Sequence, residues 1–282
     1  MAKRLISAAI AIPLGILVLY IDNIYLLTGV MSALSVLATY EIFVATKYLK
    51  NIPVTIVSFA FVAFVPFAFI IQPIREQIPY VCLAFLFTLF IIMIFMHEKV
   101  KFEQVALVAF ISVCIPLAMS SLAFTRITFS EHGIFYVVFI LVAAWIGDAG
   151  AYFIGTFFGK HKMAPTISPK KSWEGFFGGV VTSGVFGILL GLGYEWLDYL
   201  TTGVHHFTVN IWFLFVISLI CAVLGVIGDF SASILKRQCM VKDFGHILPG
   251  HGGVLDRFDS VLFVAPFVYL VLKIYEPVSA II

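Results

Sequence analysis

The sequence predicts an all-α, polytopic integral membrane protein with about nine transmembrane helices. Of its 282 residues, 62% are hydrophobic and 11% are charged, whereas an ordinary soluble domain carries about 25% charged residues. Apolar blocks of about 20 residues recur along the whole chain, which is the length that a helix needs to cross a hydrocarbon core of roughly 30 Å. The composition therefore excludes an ordinary soluble domain.

The apolar blocks define the predicted spans. They lie at residues 5–21, 24–46, 53–72, 79–96, 104–124, 134–158, 176–195, 210–235 and 257–275. The first block follows "MAKR" and has no cleavage site of the Ala-x-Ala kind after its apolar core, so we interpret it as a retained helix. Chemically specific polar residues begin only in the second half. We therefore assign residues 1–125 to a transmembrane scaffold and residues 126–282 to a catalytic region with loops 159–175 and 236–256.

The distribution of basic residues predicts the orientation. If the amino terminus is cytoplasmic, 14 of the 17 Lys and Arg residues fall on that side, and only Arg75, Arg126 and Lys273 fall on the other. Cytoplasmic loops of membrane proteins carry an excess of Lys and Arg. We therefore expect an integral protein of the cytoplasmic (inner) membrane, with the amino terminus and both catalytic loops in the cytoplasm.

Acids within or at the ends of predicted spans are the first polar feature of interest. Asp148 and Asp229 share the pattern Ile-Gly-Asp-x-x-Ala and both lie toward cytoplasmic helix ends, which makes them a site hypothesis, because ionisable groups in a membrane are costly. Small neighbouring residues are expected to allow close helix packing there; they are Gly147, Gly150, Ala151, Gly155, Gly225 and Gly228. Glu41, as an acid within a span, could face a partner or a water-filled cavity. We favour the alternative, a carboxyl near the end of the second helix that reaches Lys47 or the interface.

The loop "SPKKSWEG" leads directly into the span at 176–195. Ser168 and Pro169 predict a turn or a helix start. Lys170 and Lys171 then lie at the membrane surface, where ammonium groups can bind the phosphates of a nucleotide or a lipid headgroup.

The stretch "KRQCMVKDFGHILPGHGGVLDRFD" alternates acids and bases, whereas a purely topogenic loop would be basic. Asp229 and Ser233 are four residues apart, and Asp256 and Asp259 are three apart, so each pair shares a helix face. Carboxylates and a hydroxyl are oxygen ligands that Mg²⁺ prefers, with other positions left for water and phosphate oxygens. The interleaved bases would bind those phosphates; they are Lys236, Arg237, Lys242 and Arg257.

The segment "PGHGG" cannot remain helical. Gly250, Gly252 and Gly253 allow close backbone approach and present N–H groups to an anion. For His251, a structural hydrogen bond and a role as general base or in ligand positioning are equally open. Together these features indicate metal-assisted phosphoryl chemistry, and there is no Walker-type "GxxxxGK[ST]" sequence.

The segment "SILKRQCMVKDFGHILPGHGGVLDRFD", from Ser233 to Asp259, resembles the carboxy-terminal signature of the phosphatidate cytidylyltransferase (CDP-diacylglycerol synthase) family. The upstream segment "GDAGAYFIGTFFGKHKMAPTISPKKSWEG" is also similar to that family, with Ser172 where Thr is frequent. The resemblance implies that phosphatidate and CTP give CDP-diacylglycerol and pyrophosphate, with Mg²⁺ required. It also implies a second, monovalent cation such as K⁺, a homodimer, contact with membrane lipid and no nucleic-acid partner.

Mapped onto this sequence, the resemblance implies metal ligation by Asp229 and Asp256, supported by Ser233, Asp259 and Asp148. The catalytic candidates are Asp229, Asp256, Asp259, Lys171 and His251. The candidates for substrate binding are Ser168, Lys170, Lys171, Lys236, Arg237, Lys242, Gly252, Gly253 and Arg257. Two alternatives stay open: a CTP-dependent lipid kinase, which would use the same groups to transfer the γ-phosphate, and an ion-coupled transporter, which also uses intramembrane acids.

Overall fold

The computed structural model describes residues 9, 13–21, 23–245 and 252–281. In that part of the chain, the long elements are all helices, which confirms the predicted all-α class. We number them α1 (Ile24–Ala45), α2 (Ile52–Ile70), α3 (Gln72–Arg75), α4 (Ile78–Phe95), α5 (Phe102–Thr128), α6 (Gly133–Phe158), α7 (Trp173–Thr202), α8 (Ile211–Gln238), α9 (Leu255–Phe258) and α10 (Val261–Ile274). A single 3₁₀ turn, Tyr48–Lys50, follows α1.

Seven helices in the described residues are long and apolar enough to cross a membrane: α1, α2, α4, α5, α6, α7 and α8. Six of them coincide with a predicted span to within four residues at each end, and α7 extends seven residues beyond the predicted end of its span at residue 195. Residues 13–20 are helical and belong to the first predicted span, whose remainder lies outside the described residues. The last predicted span is observed as α10, whose 14 residues are too few to cross a bilayer core. The protein is an integral membrane protein, and the number nine stays a prediction.

Local sequence determines where these helices begin and end. The Asn23 side chain accepts hydrogen bonds from the Tyr25 and Leu26 N–H groups at the start of α1, and Ser172 accepts one from Gly175 N–H at the start of α7. These bonds satisfy N–H groups that have no partner within the first helical turn. Gly203 ends α7 in the left-handed region, with φ of 77°.

Two short antiparallel strand pairs are also present in the described residues. Strand β1 (Lys162–Ala164) pairs with β2 (Ser168–Ser172), and β3 (Phe207–Val209) pairs with β4 (Val278–Ala280). The predicted turn or helix start at Ser168 and Pro169 is therefore wrong. A proline is compatible with an edge strand, because the missing N–H can face away from the partner strand.

The chain forms two compact units, residues 1–127 with 238–258 and residues 128–237 with 259–282. The first unit has an apolar core from α1, α2, α4 and α5, in which the rings of Phe61 and Phe85 stack 4.0 Å apart. The sequence predicted a different kind of division, at residue 125, between a scaffold and a catalytic region. That assignment of roles stays a prediction.

The second unit depends on close helix packing at small residues. A Cβ atom placed on Gly179 of α7 would lie 2.5 Å from the carbonyl oxygen of Gly147 in α6, and one on Gly175 would lie 2.7 Å from that of Ala151. Glycine therefore lets the two helix backbones touch, which confirms the close approach expected around Gly147 and Ala151.

We predict that Gly179→Ala destabilises the protein by about 1–3 kcal/mol, because the added methyl group collides with backbone that cannot rotate away. Thermal unfolding of the purified protein in detergent measures this change. Gly193→Ala is the matched control on the same helix, since nothing lies within 4 Å of its added Cβ. Equal melting temperatures for the two variants would contradict the packing argument.

Candidate active site

In the second unit, the carboxylate of Asp229 in α8 is paired with a lysine from strand β2, which directly precedes α7. Lys171, in strand β2, forms an ion pair with the Asp229 carboxylate through its Nζ atom, and the two side chains are 21% and 26% exposed. The same ammonium group lies 4.9 Å from the ring centre of Phe230, where a cation is attracted by the face of the aromatic ring. Of the adjacent lysines, Lys171 is thus held in the site, whereas Lys170 is exposed.

Asp148 of α6 is tied to the start of α10. The single O–H of Ser260 has two acceptors within reach, Asp148 Oδ2 at 3.1 Å and the Gly225 carbonyl oxygen at 3.2 Å. The Ser260 N–H donates to Asp259 Oδ1 at 2.8 Å. The carbonyl of Asp259 fits against Gly228 of α8, where a Cβ would lie 2.5 Å from it.

Carboxylates are concentrated around Asp259, which is 8% exposed and lies outside the seven long apolar helices. Its burial and then the negative charge of Asp229 raise the pKa of Asp259 to about 7, with a smaller contribution from Asp148. Lys236 of α8 opposes that effect. The negative charges of Asp229 and Asp148 therefore act on the buried Asp259, and together they favour a cation in the second unit.

In the first unit, Asp256 is held by backbone N–H groups. Its Oδ2 atom accepts hydrogen bonds from Phe244 N–H at 3.1 Å and from Gly253 N–H at 3.0 Å. Gly252 is in the left-handed region, with φ of 87°, where a side chain would be strained. The sequence predicted that the Gly253 N–H group can bind an anion. In the structure, the anion at this N–H group is the Asp256 carboxylate.

Glu41 is the residue whose importance sequence reasoning missed. The expectation that it reaches Lys47 or the interface is wrong: Glu41 is 1% exposed, and its carboxylate accepts hydrogen bonds from the Val254 and Leu255 N–H groups. An acid in an otherwise apolar helix was the available signal, because a buried carboxylate needs partners of its own. The identity of those partners, more than 200 residues later, was not visible in the sequence.

The remaining predicted site residues are spread over strand β2, the last two turns of α8, the loop after it and α9. Ser168, Ser233 and Lys236 are partly buried, and the exposed ones are Lys170, Arg237, Lys242 and Arg257. His251 and Gly250 lie outside the described residues. The prediction that Asp256 shares a metal ion with Asp229 stays a prediction.

The residue types present fit a divalent cation. Across the part of the chain that the structure describes, no group of three or more His, Cys, Asp and Glu side chains is gathered closely enough to hold a metal ion. Mg²⁺, however, is often bound by one or two carboxylates and completes its octahedron with water and substrate phosphates. Two such carboxylates are present here. One is that of Asp229, which already pairs with the ammonium cation of Lys171, and the other is that of the buried Asp259.

Fold and site together define an integral membrane protein that carries clustered carboxylates and a lysine near its helix ends. The chain matches the cytidylyltransferase family over residues 2–275, and it belongs to that family. The resemblance seen in the sequence motifs is therefore confirmed.

Curated relatives match about half of the chain. A phosphatidate cytidylyltransferase of Bacillus subtilis (strain 168) is 42% identical over 146 residues, which is 52% of this chain and 50% of the relative. Proteins of the same name from Staphylococcus haemolyticus (strain JCSC1435) and Staphylococcus aureus (strain COL) are 40% and 42% identical over 142 residues, 50% of each chain. The chain thus spans about half the length of the curated relatives it matches.

We predict that Asp229→Asn makes Lys171 several-fold more reactive toward an amine-acylating reagent, because the ion pair that holds its Nζ atom is lost. Tandem mass spectrometry of the labelled protein, read at Lys171 and normalised to the exposed Lys170, measures the change. Asp198→Asn, an acid bonded to His206 at the far end of α7, is the control and should leave the ratio unchanged. An unchanged ratio in Asp229→Asn would refute the pairing.

Proposed function

We propose that this chain is a phosphatidate cytidylyltransferase, which converts CTP and phosphatidate to CDP-diacylglycerol and pyrophosphate. The observation that carries the proposal is the Lys171–Asp229 ion pair, together with the buried Asp259, in the second unit of a cytidylyltransferase-family protein. The names of the bacterial relatives specify the lipid substrate. The family match also favours nucleotidyl transfer over ion-coupled transport.

The reaction is a displacement at phosphorus. An oxygen of the phosphatidate phosphate forms a bond to the α-phosphorus of CTP, in line with the bond that breaks between that phosphorus and the bridging oxygen to the β-phosphate. Pyrophosphate leaves with the electron pair of that bond. The protein contributes mainly positioning and neutralisation of charge, because negative charge spreads over the phosphate oxygens as the transfer proceeds.

In the second unit, Lys171 would bind a phosphate oxygen as a point charge, and the exposed Lys170 would help to attract the anionic substrates. Asp229 and Asp259 are the residues that would hold Mg²⁺, with Asp148 as a proposed supporting ligand. Asp256, in the first unit, is proposed as a metal ligand on the strength of the family resemblance. When bound, the cation would neutralise charge on the phosphates. Lys236, Arg237, Lys242 and Arg257 are proposed to add positive charge at the cytoplasmic surface.

We propose a location in the cytoplasmic membrane with the loops 159–175 and 236–256 in the cytoplasm. The asymmetric distribution of Lys and Arg supports this orientation, and CTP is a cytoplasmic nucleotide. The family resemblance leads us to propose a homodimer and a monovalent cation as well.

The first test of this proposal is the fate of labelled CTP. Purified protein in phosphatidate-containing micelles should transfer label from the α-phosphate of CTP into the lipid, and EDTA should abolish the transfer until Mg²⁺ is restored. CTP labelled at the γ-phosphate should leave the lipid unlabelled. Transfer of the γ-label without the α-label would establish the lipid kinase and refute the cytidylyltransferase.

The second test removes one carboxylate. Asp229→Asn should lower turnover by about 100-fold or more, because a neutral amide neither attracts a cation nor holds Lys171. Glu131→Gln, an exposed acid of the same unit, is the control and should keep wild-type turnover. Turnover of Asp229→Asn within a few-fold of wild type at saturating Mg²⁺ would exclude Asp229 from the reaction.

A further inference from the structure

Glu41 occupies an unusual position for an acid. It lies four residues before the end of α1, among the largest fully buried side chains of the chain. A charge in such a place is retained only if fixed partners compensate for the water it has lost. Its partners are not other side chains of α1 but backbone groups that follow the "PGHGG" segment.

Both oxygens of the Glu41 carboxylate are used. Oε1 accepts from Val254 N–H at 2.8 Å, and Oε2 accepts from Leu255 N–H at 2.9 Å. Successive N–H groups at the start of a helical turn point in similar directions and have no partner within the turn, so one carboxylate can satisfy both. Asp256 is the next residue, and the bonds therefore fix the backbone from which its side chain projects.

Two glycines make room for the carboxylate. A Cβ atom on Gly253 would lie 2.5 Å from Oε2 of Glu41, and one on Gly245 would lie 2.5 Å from Oε1. Either side chain would have to displace the carboxylate. Gly245 and Gly253, one on each side of residues 246–251, therefore both leave space for the Glu41 carboxylate.

The contacts form a continuous chain to Asp256. Glu41 holds Val254 and Leu255, while Gly253 N–H and Phe244 N–H hold Oδ2 of Asp256. All of these residues belong to the first unit. The position of the Asp256 carboxylate therefore depends on a residue of α1 more than 200 positions earlier.

We propose that Glu41 is a positioning residue for Asp256, a role that rests on the proposed cytidylyltransferase function. Glu41 fixes the turn Val254–Leu255 so that the Asp256 carboxylate is presented in one orientation. It touches neither substrate in this role. Its loss should lower kcat far more than it raises KM, because substrate binding by the lysines and arginines remains while the carboxylate is misplaced.

The test compares Glu41→Gln with wild type in nanodiscs. Glutamine keeps the length of the side chain but places an NH₂ group against one of the two N–H donors. We expect kcat to fall by about tenfold or more, with KM for CTP and phosphatidate within about threefold of wild type. Hydrogen exchange at the Val254 and Leu255 amides should accelerate by about tenfold. Glu98→Gln, an exposed acid of the same unit, should change neither measurement.

If Glu41→Gln folds poorly, Gly253→Ala keeps the proposal testable, because it leaves Glu41 itself unchanged; a double-mutant cycle then adds to that test. Gly253→Ala should reproduce the loss of kcat by displacing the Glu41 carboxylate. In the Glu41→Ala background, where that carboxylate is absent, the same change should cost little more. Additive effects would mean that the two residues act independently and would overturn the proposal.

The outcomes separate this proposal from the proposed function. An active wild type with a fully active Glu41→Gln variant disproves the positioning role, as does loss of kcat without faster amide exchange at residues 254 and 255. A wild type that transfers no α-label into lipid disproves the reaction itself. Loss of kcat together with faster exchange at those two amides supports the positioning role.

Discussion

A carboxylate buried in an apolar chain must meet a donor or a cation, and most of the polar structure of this protein follows from that requirement. With only 11% charged residues, the chain places acids in and beside helices that cross a membrane. The two units meet the requirement in different ways. In the first, the Glu41 and Asp256 carboxylates accept from backbone N–H groups. In the second, Asp229 pairs with Lys171, and Asp148 accepts from the Ser260 hydroxyl.

The two kinds of partner, backbone N–H groups and a lysine side chain, give the carboxylates different freedom to change partners. A backbone N–H cannot move away without unfolding its turn, so Glu41 is committed to structure. The ammonium of Lys171 stands on a flexible stem and can be exchanged for another cation, so Asp229 remains available to a ligand. Close packing of α6 on α7 through Gly147, Gly175 and Gly179 gives these side chains a rigid support. The first unit thus has carboxylates with fixed partners, Glu41 and Asp256, and the second has Asp229, whose partner can be exchanged. Both kinds are consistent with phosphoryl transfer, in which positioning and charge dominate.

The sequence predicted the helices well, because an apolar run of 18 or more residues in a membrane protein has few alternatives to a helix. It also identified Asp148, Asp229 and Asp259 as unusual acids in this setting. The strand at Ser168–Ser172 was not predicted, since five residues with a proline give no periodic signal. The partners of Glu41 were missed for a different reason: its two hydrogen bonds join residues more than 200 positions apart, and backbone N–H groups leave no mark in a sequence.

The junction between β2 and α7 places two functions on consecutive residues. Lys171 reaches Asp229, and Ser172, 4% exposed, caps α7 through Gly175 N–H. Neighbouring side chains of a strand point to opposite faces, so inserting or deleting a single residue here would turn the lysine away or remove the cap. The order of these two residues is therefore constrained by two contacts at once, the ion pair of Lys171 and the cap of α7.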